Sequence, residues 1–232
     1  MGEIAELKKS PLKHGLFCFS LAFVLAVVPV SAAGSLRVEK VSESVSVPSL
    51  NCRVSYPHID GISNLSRQER LNVALKESAK TVETKARYDA KFGNVNADVD
   101  FIVTRNNNSI MSLVVKGKIS SGKSESLSQT GLTIDTVTGR RYLLADLFID
   151  NADYVETLSN QIKTQIARSG LDKRQVKEFK RISENEDFYL TSDSVIVFFE
   201  QGEYFSSDCA VREFAIPLET LAGILKPQVR LA

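Results

Sequence analysis

General acid-base and zinc chemistry lean most heavily on histidine. Beyond the first 33 residues this sequence has a single histidine, His58, in the run Tyr56-Pro57-His58-Ile59-Asp60-Gly61. His58 and Asp60 with a serine would be the working set of a hydrolase. No Gly-x-Ser-x-Gly elbow or other nucleophile signature accompanies them, and His58 reads as a turn residue after proline. One histidine does not make a zinc site. Glu184, Glu186 and Asp187 cluster without the glycine-centred loop of alternating carboxylates that calcium requires, and there is no glycine-rich phosphate loop. The expectation is therefore a non-enzyme with no catalytic residue, no metal ligands and no cofactor. The stretch closest in type to a recognition surface is Gln201-Gly202-Glu203-Tyr204-Phe205-Ser206-Ser207-Asp208, where aromatics stand beside small polar residues between two apolar runs. Gln201, Glu203, Tyr204, Phe205 and Asp208 are its candidate ligand contacts. The alternative is that Tyr204 and Phe205 fold back onto the core.

The start of the chain bears on where that chemistry would operate. Lys8, Lys9, Lys13 and His14 precede an apolar run from Gly15 to Val28, followed by Pro29-Val30-Ser31-Ala32-Ala33. This is the three-part layout of a secretory signal over residues 1–33. The apolar core is shorter than the roughly 20 residues a spanning helix needs; the alternative is an uncleaved anchor from Gly15 to Ala33. Cys18 lies inside the apolar core, without the small residue that lipoprotein processing requires. The expected mature chain is extracytoplasmic, of roughly 200 residues, large enough for one real core and without a membrane span. Its basic and acidic residues balance, and no basic, aromatic-interleaved motif is present, which sets nucleic acid aside as a partner. Cys52 and Cys209 remain after cleavage. In an exported chain they make either one disulfide or two buried thiols behaving as small hydrophobes.

Residues 34–47 read as a linker or a loosely held first strand, with folding starting near Pro48. Leu50 to Tyr56 reads as a strand. Ser66-Arg67-Gln68-Glu69 has the form of a capping box, and Leu71, Leu75, Val82 and Ala86, with Ala74 and Ala79, predict an amphipathic helix that Gly93 ends. Val99, Phe101 and Val103 alternate before Asn106-Asn107-Asn108, and Ile110 to Ile119 follows, predicting an antiparallel hairpin. Ser120 to Thr130 reads as an exposed loop, and Leu132 to Val137 with Arg140 to Leu144 as a second hairpin. Tyr154, Val155, Leu158, Ile162 and Ile166 predict a second helix, begun near Asp150 or Asn151 and closed by Gly170. Its basic continuation, Lys163 to Arg181, reads as a solvated face or a contact for an anionic wall polymer. Strands follow at 188–190, 195–200 and 211–216, and Pro217 opens a last helix at Leu218 to Leu225. Without βαβα alternation, the fold class is α+β: a mainly antiparallel sheet with two principal helices packed on it, one compact body with halves at 48–130 and 131–228.

Gly131-Leu132-Thr133-Ile134-Asp135-Thr136-Val137-Thr138-Gly139-Arg140, running into Tyr142-Leu143-Leu144-Ala145-Asp146-Leu147-Phe148, resembles the strand-turn-strand signature of a bacterial extracytoplasmic domain. That domain forms the outer part of RsiV-like, lysozyme-sensing anti-sigma factors and accompanies some peptidoglycan deacetylases. Residues 188–200 and Phe214-Ala215-Ile216-Pro217-Leu218 resemble its closing strands, and 48–120 its companion segment. The family's tyrosine- and proline-containing segment is replaced here by Gln201 to Ala210. The residues ahead of the apolar run are too few for a sigma-binding domain, and the deacetylase histidines are missing. The resemblance implies a non-catalytic binding module of the bacterial envelope, with a lysozyme-like protein or a cell-wall glycan as ligand. A structural component of a surface assembly, and a hydrolase using His58 with Asp60, are the alternative readings.

Overall fold

The computed structural model describes residues 24–26, 36–107, 110–170, 179–206 and 210–230. Apart from residues 24–26, the expected signal segment lies outside them. Two antiparallel strands, β2 (Arg37–Val47) and β3 (Leu50–Asp60), pair over their full length from Arg37↔Asp60 to Val47↔Leu50 around Pro48-Ser49. The stretch read as a linker or loose strand is therefore an 11-residue strand. Its Ser and charged residues alternate with Val38, Val41, Val45 and Val47 too irregularly to signal a buried face, yet all four valines join the core beneath it. A three-residue strand, β1 (Val24–Ala26), lies along β2.

Helix α1 (Leu65–Asp89) connects β3 to β4 (Val95–Asn106). Its cap is Asn64, not Ser66. Gly61, at φ +103°, turns the chain before the helix. The Asn64 side chain then accepts from the Arg67 N–H at 3.0 Å. Gln68, not Glu69, reaches back, accepting from the Gly61 and Ile62 N–H groups. Leu75, Ala79 and Ala86 are buried as the helical spacing requires, while Ala74 is exposed and Asn72 and Glu83 take core positions. β4 runs parallel to β3 only from Val95 to Val99 beside Leu50 to Val54, after which β3 swings away. Backbone groups freed by that divergence need other partners. Asn72 supplies them, accepting from Ile59 N–H at 2.8 Å and donating to Ile59 C=O at 3.0 Å.

β5 (Ile110–Ser121) and β6 (Ser124–Asp135) complete the sheet in the order β1-β2-β3-β4-β5-β6. Much of the region expected as an exposed loop is thus β6, reached by a two-residue turn in which Gly122 adopts φ +59°. Its serines and glutamate hide strand propensity because this end is solvated on both faces. The expected second hairpin shrinks to one bridge, Ile134↔Arg141. Asp135 instead gathers the Val137 N–H, the Thr138 N–H and the Thr138 hydroxyl into a turn.

After a 3-10 turn at Leu144–Leu147 comes α2 (Tyr154–Arg168), capped by Asp153 rather than Asp150 or Asn151. β7 (Phe188–Leu190), β8 (Ser194–Phe199) and β9 (Arg212–Pro217) form a second antiparallel sheet. The expected last helix is two short pieces, a 3-10 turn at Leu218–Leu221 and α3 (Pro227–Arg230). The architecture is α+β. One core lies between α1 and the first sheet, and a second gathers α2, β7–β9 and the closing turns. Val114 of β5 joins Tyr189, Ile196 and Phe198 across the seam. There the Leu190 N–H donates to Ser112 Oγ at 2.8 Å, and Thr104 donates to the Leu190 carbonyl at 2.6 Å. No helix among the described residues is long and apolar enough to cross a membrane.

Candidate functional site

The start of α2 and the extended segment before β7 face each other across an open groove. Phe148 stacks on Tyr154 with centroids 4.7 Å apart, which fixes the ring where α2 begins. The Tyr154 hydroxyl donates to the Glu184 carbonyl at 2.9 Å and so ties the two walls together. Ile182 is buried, with its N–H on Ser159 Oγ at 3.0 Å, and the Ser183 N–H donates to the buried Glu186 carboxylate at 2.9 Å. These contacts hold Arg181, Ser183 and Glu184 facing solvent. Tyr204 closes one end, packed edge-on against Phe179 at 5.2 Å and Phe199 at 4.8 Å. The groove is about 610 Å³, with Asn151, Asp153, Tyr154, Arg181, Glu184 and Tyr204 among its walls.

Burial pushes both tyrosine hydroxyls up, reinforced at Tyr154 by Glu184 and at Tyr204 by Glu186 and Glu203. Both remain neutral donors at physiological pH. Glu203 is also pushed up, first by burial and then by the carboxylates of Glu186, Asp187 and Glu200. Two half-buried aromatic rings beside a rim of both charge signs suit a polar ligand with apolar patches.

The residues singled out in sequence separate in space. Tyr204 lines the groove. Phe205 is 1% exposed, in the core between Phe199 and Phe214. Gln201 bridges to β6, accepting from the Leu127 N–H at 3.0 Å and donating to the Glu125 carbonyl at 3.4 Å. Glu203 folds back to accept from the Glu200 N–H at 3.0 Å. Asp208 lies outside the described residues, as do Cys209 and residues 171–178 of the basic run. Cys52 is buried in the first core. His58 Nε2 stands 3.7 Å from Asp60, beyond hydrogen-bond length, and Asp60 is engaged by Arg37 at 3.1 Å and by Gln68 at 3.3 Å. Sequence spacing does not single out Tyr154 and Arg181 as partners of Tyr204. Tyr154 reads in sequence as part of an apolar helical stripe, and nothing in spacing joins residues so far apart along the chain.

A mainly antiparallel sheet and a second, antiparallel three-stranded sheet, with α1 on the core of the first and α2 on that of the second, define an α+β fold of two sheets. Residues 145–219 match the family model of DUF3298, described as a protein of unknown function, and the groove falls wholly inside that segment. A crystal structure of a DUF3298 family member from Bacteroides fragilis aligns at 15% identity and a TM-score of 0.57, covering 90% of this chain and 95% of that one. A DUF3298 family protein from Pseudomonas aeruginosa aligns at 13% identity and a TM-score of 0.60, covering 84% and 96%. At these identities the likeness is one of fold. No curated protein matches.

Proposed function

We propose that the chain is an exported, non-catalytic binding module of a bacterial envelope, recognising a lysozyme-like protein or a cell-wall glycan through the Tyr154–Tyr204 groove. The observation that carries this reading is the groove itself: two neutral tyrosines, each fixed by aromatic stacking, beside the exposed Arg181 and Glu184. Such rings lose little freedom on binding and offer a face to sugar or peptide, while the Tyr154 hydroxyl, its proton held by the Glu184 carbonyl, is left to accept. The secretory layout of residues 1–33 and the RsiV-like motifs at 131–148 point to the same compartment and ligand class. The test is a pull-down of purified chain on lysozyme and on insoluble peptidoglycan over a salt series. Capture that survives salt, and that Arg181→Ala together with Tyr204→Ala weakens at least about tenfold, is expected. Equal retention by the double variant, or release of soluble wall fragments by the native chain, would refute it.

A further inference from the structure

The two edges of the first sheet are finished differently. On the β6 edge the Leu127 N–H donates to Gln201 Oε1 at 3.0 Å, the Gln129 N–H donates to Glu200 Oε1 at 3.1 Å, and Arg141 Nη2 donates to the Gly131 carbonyl at 3.4 Å. The Thr133 carbonyl and the Asp135 N–H are taken by the main chain of Tyr142 and Arg140, both at 2.9 Å. Main-chain groups engaged in this way cannot template another strand. The β2 edge has no such finish. Among the described residues, the partners of its outer main chain are the three residues of β1, set against Lys40, Val41 and Ser42. β2 is 11 residues long, contains no proline and pairs with β3 without a bulge. Its charges, which would otherwise repel an added strand, are neutralised within the sheet: Arg37 by Asp60 at 3.1 Å, Lys40 by Asp100 at 2.7 Å, and Glu43 by Lys80.

A long, regular strand edge with its charges satisfied pairs with another strand unless something covers it. Here the cover, β1, comes from the apolar core of the secretory segment, so processing during export would strip it away. We propose that β2, once β1 is gone, pairs antiparallel with β2 of a second copy of this chain across a two-fold axis at Ser42. The occupant is a second copy because the edge is self-complementary in that register. Arg37 then lies opposite Val47, Glu39 opposite Val45, Lys40 opposite Ser44 and Val41 opposite Glu43, so all 11 residues pair and no like charges face each other. The neighbouring two-fold registers, centred on Val41 or on Glu43, set Glu39 against Glu43 or Glu43 against itself. The first sheet of each copy runs on into that of the other. The proposal rests on the export reading for the removal of β1, and is independent of what the Tyr154–Tyr204 groove binds.

The test is analytical sedimentation at micromolar concentration of two samples: chain recovered from an exporting bacterium, and full chain carrying Val24→Pro and Leu25→Pro, which lifts β1 off the edge without cleavage. Both are expected to be dimers, and the unsubstituted full chain a monomer. In the proline background Ser44→Lys sets two ammonium groups opposite each other twice per dimer and should raise the dimer Kd about fivefold, whereas Ser44→Glu faces Lys40 and should lower it about fivefold. A folding defect would not move the two variants in opposite directions. The mass of the exported chain reports separately whether residues 1–33 have been removed, so failure of the export reading is seen apart from failure of the edge. A monomeric proline variant, a shortened exported chain that stays monomeric, or a shift of the same sign in both Ser44 variants would overturn the proposal.

Discussion

Replacing Gly131 by alanine tests how rigidly the two sheets are joined. A Cβ at this position of β6 would sit 2.1 Å from the carbonyl oxygen of Phe188, 2.9 Å from its carbonyl carbon and 3.3 Å from Cε1 of Phe198. The obstacle is backbone, so no rotamer change relieves it, and β7 must retreat by roughly 1 Å to restore van der Waals contact. Two hydrogen bonds resist the retreat, Leu190 N–H to Ser112 and Thr104 to the Leu190 carbonyl, and the Val114–Phe198 seam opens with it. Overpacking of a filled core costs about 1–3 kcal/mol, and weakening two buried hydrogen bonds adds about 1 kcal/mol each, which puts Gly131→Ala at about 3–5 kcal/mol. Gly117→Ala is the control. Its Cβ would meet only side-chain atoms, Ser128 Oγ at 2.6 Å and the Val82 methyls at 2.7 and 3.3 Å; the serine can turn aside, and the stiff valine yields by a small shift of α1. It should cost no more than about 1–2 kcal/mol, since alanine also recovers strand entropy that glycine loses. Urea denaturation followed by far-UV circular dichroism gives both values. A loss below about 1 kcal/mol for Gly131→Ala, or no difference from Gly117→Ala, would refute the rigid-seam argument.

Acid sensitivity and thiol chemistry follow from the first core. Burial would push Glu83 up, but hydrogen bonds from Lys80 and Arg87 outweigh it and leave the carboxyl below its usual value of 4.5. Glu43 is held down likewise by Lys80 and Tyr56. A depressed carboxyl stabilises the fold above its unfolded pKa and loses that contribution as pH falls through the folded value, so unfolding free energy should decline below about pH 5. Glu83→Gln should lower stability at pH 7 and flatten that decline; an unchanged acid slope in urea titrations would count against the network. Burial raises the Cys52 thiol to about 11. With Cys18 and Cys209 replaced by serine, maleimide should label Cys52 only as fast as the protein unfolds; rapid labelling of the native state would contradict its placement.

Legibility in the sequence followed periodicity. α1, α2, the β4–β5 hairpin and the strands of the second sheet carry regular apolar spacing and emerge within a few residues of their observed bounds. β2 and β6 are Ser-rich and charged, because parts of each face solvent on both sides or pair through main chain alone, so their side chains carry little strand signal. Asn64 outcompetes Ser66 as a cap because Gly61 places the turn earlier. The candidate site was half visible: Tyr204 stood out as an aromatic in a polar run, whereas Phe205 beside it points inward and Tyr154 reads as helix core. Arg105 looks like the ordinary polar end of a strand, and its burial against the Val229 carbonyl is a long-range contact that no local spacing encodes.

β5 belongs to both interiors. Met111, Leu113, Val115 and Ile119 face the α1 side, Ile110 joins the second core and Val114 meets the seam. β2–β3 and β4–β5–β6 close through short turns and α1 crosses over to join them, so the first sheet is complete in sequence by Asp135 and can condense early on the ribosome. β7–β9 arrive last and dock on a surface already made. The matched segment 145–219 begins after β5 and β6, so cut out alone it would lack the wall it is built against. The matched segment and the folded unit therefore differ in extent, and the longer of the two sets where this protein can be truncated.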